Sequence, residues 1–200
     1  MSTYIRPRVP GASIFFTVCL ARRGASLLTD EIDLLRDAVA RVLHRRPFMI
    51  DAWVVMPDHM HAVWTLPEDD SNFSDRWGSI KARFSRSVRE KHGSAKVGWK
   101  PILPEDPAAQ WAMLRATRSP SKRDKQDAGI WQRRFWEHHL RTEGLHAEAV
   151  RYCWENPVKH GLVETPGDWP YSSWHRDVGK PSLSKQAMPR RPGVQPAIIL

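Results

Sequence analysis

Short apolar runs and amphipathic stretches alternate along this chain, and they define its predicted elements. Strands are predicted over residues 14–20, 48–56 and 59–66, and helices over residues 31–44 and 73–91. The apolar positions of the helices recur every three to four residues, whereas the strand runs are too short for a helix of ordinary length. Pro57 and Asp58 separate the second and third strands, as the turn of a β-hairpin does.

The second half of the chain begins with a change of character. Residues 92–129 are rich in prolines and charges, which predicts an insertion rather than a core element. A strand over 130–141 and a helix over 145–156 follow, and Pro157 is expected to end that helix because the residue before a proline disfavours helical geometry.

Without the insertion, the order of elements is β-α-β-β-α-β followed by a helix. This order is the split β-α-β, ferredoxin-like arrangement of the α+β class, with an antiparallel four-stranded sheet. Helices would cover one sheet face and leave the other for a site, against which the last helix could lie. We expect one domain over residues 1–178 and a basic, proline-rich tail over 179–200.

The net charge of +9 and the isoelectric point near 10 favour a polyanionic partner such as nucleic acid, although a merely soluble basic protein would also carry such a charge. The basic residues predicted to contact DNA are Arg6, Arg8, Arg83, Arg86, Arg133, Arg134 and Lys159. Ten tryptophans are many for 200 residues. Most are expected in the core, and some could stack on bases.

Features that the sequence lacks indicate the cellular compartment of the protein and its relation to membranes. No apolar run reaches membrane-spanning length, and the first residues have no apolar signal-peptide core. Cys19 and Cys153 lie in segments that look buried and form no metal pattern. We therefore expect a cytoplasmic protein in a reducing compartment with no membrane partner.

His59 and His61 are the first candidates for chemistry. Residues two apart on a strand point to the same face, so both imidazoles could bind one divalent metal. On spacing alone, a pair of packing or surface histidines is the favoured interpretation. Asp58 should point to the other face of a regular strand, where it could orient the turn or support a metal ligand.

Tyr152 and Asn156 stand four residues apart on the last predicted helix and therefore share a face. Taken alone, Tyr152 is better explained as a core tyrosine, and Asn156 could cap the helix end, a role compatible with metal binding. The functional interpretation is a tyrosine nucleophile that attacks a phosphodiester beside a metal, with the asparagine carbonyl as third ligand. Two imidazoles and one oxygen suit Mg²⁺ or Mn²⁺ better than structural zinc.

Four segments resemble the REP-associated tyrosine transposases, relatives of the single-tyrosine HUH transposases: residues 52–68, 131–141, 152–163 and 168–178. By position, His59 and His61 match the metal-binding pair of that family, Tyr152 the nucleophile and Asn156 the third ligand. The resemblance implies cleavage and rejoining of single-stranded DNA at hairpins, the repetitive extragenic palindromes, through a 5′-phosphotyrosine. The insertion and the tail depart from the compact family pattern.

Alternative functions stay open at this point. The chain could be a hairpin-binding regulatory protein without catalysis, a metal nuclease that uses water instead of Tyr152, or an RNA-processing protein. Its oligomeric state is undecided between monomer and dimer, and a monomer is favoured.

Overall fold

One antiparallel sheet organises the protein, whose computed structural model describes residues 7–92 and 129–178. Its strands are β1 (Ser13–Cys19), β2 (Met49–Val55), β3 (His59–Thr65) and β4 (Trp136–Leu140). They lie in the order β2-β3-β1-β4, and every neighbouring pair is antiparallel. The predicted α+β, ferredoxin-like fold with a four-stranded sheet is therefore confirmed.

The helices flank this sheet: α1 (Leu27–Asp30), α2 (Ile32–Arg45), α3 (Phe73–His92), α4 (Glu143–Lys159), α5 (Trp174–Asp177), and a single 3₁₀ turn (Pro166–Asp168). The sequence predicts α2, α3 and α4, whereas α1, α5 and the 3₁₀ turn are too short to leave a periodic pattern. No helix in the described ranges combines the length and apolarity needed to cross a membrane. Arg6, residues 93–128 of the predicted insertion and the tail lie outside the described residues.

The alternation of side chains along the strands separates two apolar layers. On one face, Ile14, Phe16 and Val18 of β1 pack with α2 and α3 in the larger core. On the other face, Phe15 joins Cys153 of α4 in a smaller cluster. The helix that carries Tyr152 therefore covers the sheet face that α2 and α3 leave free, as the sequence predicts.

Tryptophans make up much of the larger core. Trp53, Trp64 and Trp77 are fully buried, and the rings of Trp64 and Trp77 stack with centroids 4.2 Å apart. Large aromatic rings bury much apolar area each, so this cluster is a main source of stability. The expectation that most tryptophans serve the core holds for these positions.

Two predicted boundaries are wrong. Helix α4 does not stop before Pro157 but continues to Lys159. A proline so near the end of a helix removes a single hydrogen bond, and the buried side chains of Asn156 and Pro157 hold the turn in place. The strand predicted over 130–141 is also shorter, because only Trp136–Leu140 pairs continuously with β1, while Trp131 makes an isolated bridge to Leu20.

The chain after α4 covers the outer edge of β2. Val55 N–H donates to the Tyr171 carbonyl at 2.9 Å, and Ser173 N–H donates to the Trp53 carbonyl at 2.8 Å. The indole of Trp154, on α4, donates to Ser173 Oγ at 3.2 Å. This segment therefore satisfies a sheet edge and ties α4 to it.

Candidate active site

His59 and His61 lie on the sheet face that α4 covers. β3 is a central strand, and its pairing with β1 sets His59 opposite Cys19 and His61 opposite Thr17. Both histidines are buried, and their ring centroids are 5.1 Å apart. The predicted shared face of the pair is thus present in the structure.

Asp58 fixes the orientation of His59. Its carboxylate accepts from His59 Nδ1 at 2.6 Å and from the Gly24 N–H at 2.8 Å. Burial raises the pKa of Asp58, but these hydrogen bonds outweigh burial and hold the pKa below its usual value. With Nδ1 as the donor, the lone pair of His59 is on Nε2. β3 begins at His59, so the alternation that would turn Asp58 away does not reach it.

His61 is held in a similar way by Thr17. The threonine hydroxyl lies 2.9 Å from His61 Nδ1, and as an acceptor it leaves the imidazole lone pair on Nε2. Burial lowers the pKa of His61 to about 3, and protonation of His59 or His160 adds to this effect. Burial also lowers the pKa of His59. Both imidazoles are therefore neutral near pH 7, the form that binds metals.

The lowered pKa of His61 predicts a dependence of stability on pH. A histidine in the unfolded chain has a pKa near 6.5, so below that pH the unfolded state binds a proton that folded His61 refuses. The stability that His61 contributes is therefore fully present above pH 6.5 and is lost as the pH falls towards 3. For the metal-free protein we expect His61 to contribute a loss of about 1.4 kcal/mol per pH unit between pH 6 and 5. Urea unfolding at successive pH values gives the free energy of unfolding as a function of pH. This free energy should fall less steeply towards acid in His61→Gln than in the unmodified protein, and equal slopes would contradict a lowered pKa for His61.

Tyr152 projects from α4 beside His61. Their ring centroids are 5.2 Å apart, and Phe15 of β1 touches both rings, at 5.5 Å from His61 and 5.6 Å from Tyr152. Tyr152 is nevertheless 41% exposed, so its ring is accessible to a substrate. Lys159 Nζ lies 4.7 Å from the centre of the tyrosine ring and 3.3 Å from a carboxylate oxygen of Glu155. Tyr152 is therefore packed against the neutral imidazole of His61 and still accessible, an arrangement compatible with a nucleophile.

Asn156 lies one helical turn beyond Tyr152, and its side chain is only 1% exposed. It approaches His61 closely enough to raise the pKa of the imidazole against the effect of burial. Its Oδ1, however, accepts no hydrogen bond of normal geometry. A buried carbonyl oxygen without a partner is costly, and a cation would satisfy it.

The side chains of the described ranges bear on the type of metal site. They contain no group of three or more histidine, cysteine, aspartate or glutamate side chains arranged to hold a metal ion. Among the residues of these ranges, a third ligand beside His59 and His61 would be of another type. The carbonyl oxygen of Asn156 is such a ligand and lies in the same cluster.

Comparison with known proteins identifies the family. No family model matches the chain. A REP-associated tyrosine transposase of Escherichia coli K12 is 39% identical over 180 residues, which cover 90% of this chain and 87% of that protein. The chain belongs to the REP-associated tyrosine transposases. A Haemophilus influenzae relative assigned to the same family is 38% identical over 178 residues, covering 89% of this chain and 88% of the relative.

A solved structure extends this comparison to the fold. It is that of a REP-associated tyrosine transposase bound to a REP hairpin, and it matches with a TM-score of 0.68 and 36% identity. The match covers 96% of this chain and 98% of that one. The protein is therefore a transposase, an enzyme class that cleaves and joins DNA, and the family suggests dependence on a metal.

Sequence reasoning missed three residues of this transposase site: Phe15, Thr17 and His160. Phe15 and Thr17 lie on the same face of β1. The one signal for them in the sequence was the polar Thr17 within an otherwise apolar run. Their proximity to the histidines depends on the register of β1 with β3, which no local pattern gives. The ring of His160 lies 5.2 Å from that of His59, although its position after Lys159 is equally typical of a helix-end cation.

The basic residues predicted to contact DNA fall into separate parts of the transposase. Lys159 lies at the site, and exposed Arg133 and Arg134 lie just beyond Gln132, whose N–H donates to the Cys19 carbonyl opposite His59. Arg8 is exposed ahead of β1. Arg83 and Arg86 belong to α3, in the layer on the far side of the sheet, so the structure does not bring these two to the site.

Proposed function

We propose that Tyr152 is the nucleophile of a metal-dependent, single-strand DNA endonuclease and strand transferase that acts beside hairpins. The observation that carries this proposal is one cluster containing Tyr152, two neutral imidazoles and the unpartnered carbonyl oxygen of buried Asn156. Core packing alone does not explain a tyrosine that is 41% exposed or an amide oxygen left without a partner.

The residues of the cluster fit a divalent metal. His59 and His61 each have Nδ1 engaged, by Asp58 and Thr17, which leaves Nε2 as the donor atom. Asn156 Oδ1 adds a hard oxygen ligand, and two nitrogens with one oxygen suit Mn²⁺ or Mg²⁺. When bound, such an ion supplies electrophilic polarisation of the scissile phosphate.

The cleavage step follows from the position of Tyr152. Its hydroxyl oxygen attacks the phosphorus, the bond from phosphorus to the 3′-oxygen breaks, and the 5′ end becomes covalently attached to the tyrosine. The phenolic proton is lost, and the departing 3′-oxygen gains one. The ammonium group of Lys159, 4.7 Å from the centre of the tyrosine ring, stabilises negative charge that develops on the phenol oxygen and on the phosphate.

Rejoining is the reverse of this step. A 3′-hydroxyl oxygen attacks the phosphorus of the phosphotyrosine and loses its proton, the bond from phosphorus to the tyrosine oxygen breaks, and the phenol of Tyr152 regains a proton. The tyrosine must stay in place while strands exchange. The N-cap bond from Leu145 N–H to Thr142 Oγ1 and the contact of Trp154 with Ser173 hold the two halves of α4.

A DNA hairpin with single-stranded flanks is the proposed substrate. The related transposase of known structure is bound to a REP hairpin, and the charge of +9 suits such a polyanion. Lys159, Arg133 and Arg134 are proposed phosphate contacts near the scissile bond, and Arg8 with Arg6 a contact outside it. Arg83 and Arg86 are proposed only as remote contacts, because they lie on α3.

A single chain contains every proposed catalytic group, which supports a monomer as the active unit. An enzyme that acts on bacterial chromosomal DNA would work in the cytoplasm, in contact with the nucleoid.

The test is formation of a covalent adduct. The protein is incubated with labelled single-stranded hairpins copied from palindromic repeats of its own genome, with Mg²⁺ or Mn²⁺. We expect a metal-dependent protein–DNA adduct that survives denaturing electrophoresis, together with a shortened strand ending in a 3′-hydroxyl. Absence of any adduct with every repeat would contradict the proposal, and equal cutting of RNA hairpins would contradict the preference for DNA.

A further inference from the structure

Trp136 differs from the other tryptophans of the described residues. It is 56% exposed, whereas Trp53, Trp64, Trp77 and Trp131 are buried. It is the first residue of β4, the edge strand beside β1. Isolated exposed apolar residues are common on protein surfaces, so the case for Trp136 depends on its surroundings.

The strand register turns Trp136 towards the active site. It lies opposite Thr17, the residue that holds His61, and so projects from the same sheet face. Its ring contacts Phe15 edge to face, with centroids 5.8 Å apart, and Phe15 in turn contacts Tyr152. Trp136 is therefore two ring contacts away from the proposed nucleophile.

The ring of Trp136 is held rather than free to turn. His138, two residues along β4, lies parallel to it within 6°, with centroids 5.8 Å apart. Phe15 supports the ring from a second direction. An indole fixed by two aromatic neighbours loses little further conformational freedom when a flat ligand packs on its exposed part.

The charge around Trp136 indicates the kind of ligand. Arg133 and Arg134, both exposed, precede it by two to three residues. Aromatic rings beside cationic side chains are the usual means of holding single-stranded nucleic acid, because bases stack while the cations contact phosphates. The net charge of +9 adds to this local charge and favours a polyanionic ligand at Trp136.

We infer that Trp136 is a stacking platform for a base of the single strand next to the scissile phosphate. This inference rests on the proposed function, since it takes Tyr152 as the attacking residue. Stacking at Trp136 would fix the position of the strand across Phe15 and so present the phosphate to Tyr152. Trp136 is thus a positioning residue, and its loss should weaken binding and reduce the fraction of correctly placed phosphates.

The experiment tests whether the loss of affinity caused by removing a single DNA base depends on Trp136. Hairpins with an abasic site at each flanking position in turn are titrated against the full chain in a Tyr152→Phe background, which removes cleavage from the measurement. With Trp136 present, we expect one flanking position at which base removal weakens binding by about 5- to 150-fold. In Trp136→Ala, binding of intact DNA should be weaker by a similar factor, and base removal at that position should have no further effect.

Two further variants serve as controls. Trp136→Phe keeps an aromatic face, so removal of the base at that position should still weaken binding, by most of the factor seen with Trp136. Met49→Ala removes an exposed apolar side chain from β2, at the opposite edge of the sheet, and should change nothing. If Trp136→Ala leaves the abasic effect unchanged at every position, or instead alters the oligomeric state, the inference is overturned.

The outcome separates the two proposals. An adduct formed with Tyr152 present but no coupling at Trp136 would remove the platform and leave the catalytic proposal standing. Coupling at Trp136 with no adduct on any hairpin would leave Trp136 as a base-stacking residue but remove the catalytic proposal, and with it the placement of that base next to a scissile phosphate.

Discussion

Replacing Tyr152 with phenylalanine is expected to abolish the covalent protein–DNA adduct and to slow strand cleavage by ~10³-fold or more. The substitution removes only the hydroxyl, so the ring can still contact His61 and Phe15. Folding and hairpin affinity should therefore stay near those of the unmodified protein. Cleavage is measured in single-turnover reactions with labelled hairpin, and affinity by a titration without metal.

The same experiment distinguishes the alternative mechanisms. Near-normal cutting by Tyr152→Phe without a covalent adduct would show that water is the nucleophile. Tyr171→Phe is the matched control, because Tyr171 is the other tyrosine of the described residues and packs against Trp169. The Tyr171→Phe variant should cleave the hairpin at the normal rate. An adduct that persists in Tyr152→Phe would assign the nucleophile to another residue.

Replacing His61 with alanine is expected to weaken Mn²⁺ binding by ~100-fold or more, since loss of a group that merely supports a ligand already costs 10- to 100-fold. Cleavage at limiting metal should fall with it, and excess Mn²⁺ should restore it only in part. The fold should survive, because His61 lies in the smaller layer while the larger core is on the other face of β3.

Metal affinity is measured directly by calorimetry, so the result does not depend on finding the right DNA. His44→Ala is the control, since it removes an exposed imidazole from α2 in the opposite layer. Equal Mn²⁺ affinities for the two variants would exclude His61 as a ligand. A large fall in melting temperature for His61→Ala alone would assign it a structural role instead.

Much of the fold could be predicted from the sequence because each strand and long helix has a distinct apolar period. The run that becomes β1 and the stripe of α3 are examples, and the order of elements then restricts the topology. The shared face of His59 and His61 also follows from local geometry, since strand side chains alternate with a period of two.

Other features depend on distant contacts and could not be predicted locally. The hydrogen bond between Thr17 and His61 joins residues 44 positions apart, and only the register of two strands determines it. Asp58 is expected on the other face only for a regular strand, and β3 begins one residue later, so the turn places its carboxylate against His59, in the supporting role that the sequence also allows. The exposure of Trp136 could not be predicted either, because buried and exposed tryptophans look alike in a sequence.

Strand β1 has a consequence for how this protein can vary and be engineered. Its residues alternate between the large core and the active site, so substitutions at Phe15 and Thr17 change the site without changing the side chains of the larger core. Inserting or deleting one residue within the strand would instead exchange the two sets. A length change of one residue in β1 should therefore damage the core and the site together, whereas a substitution at Phe15 or Thr17 should act on the site alone.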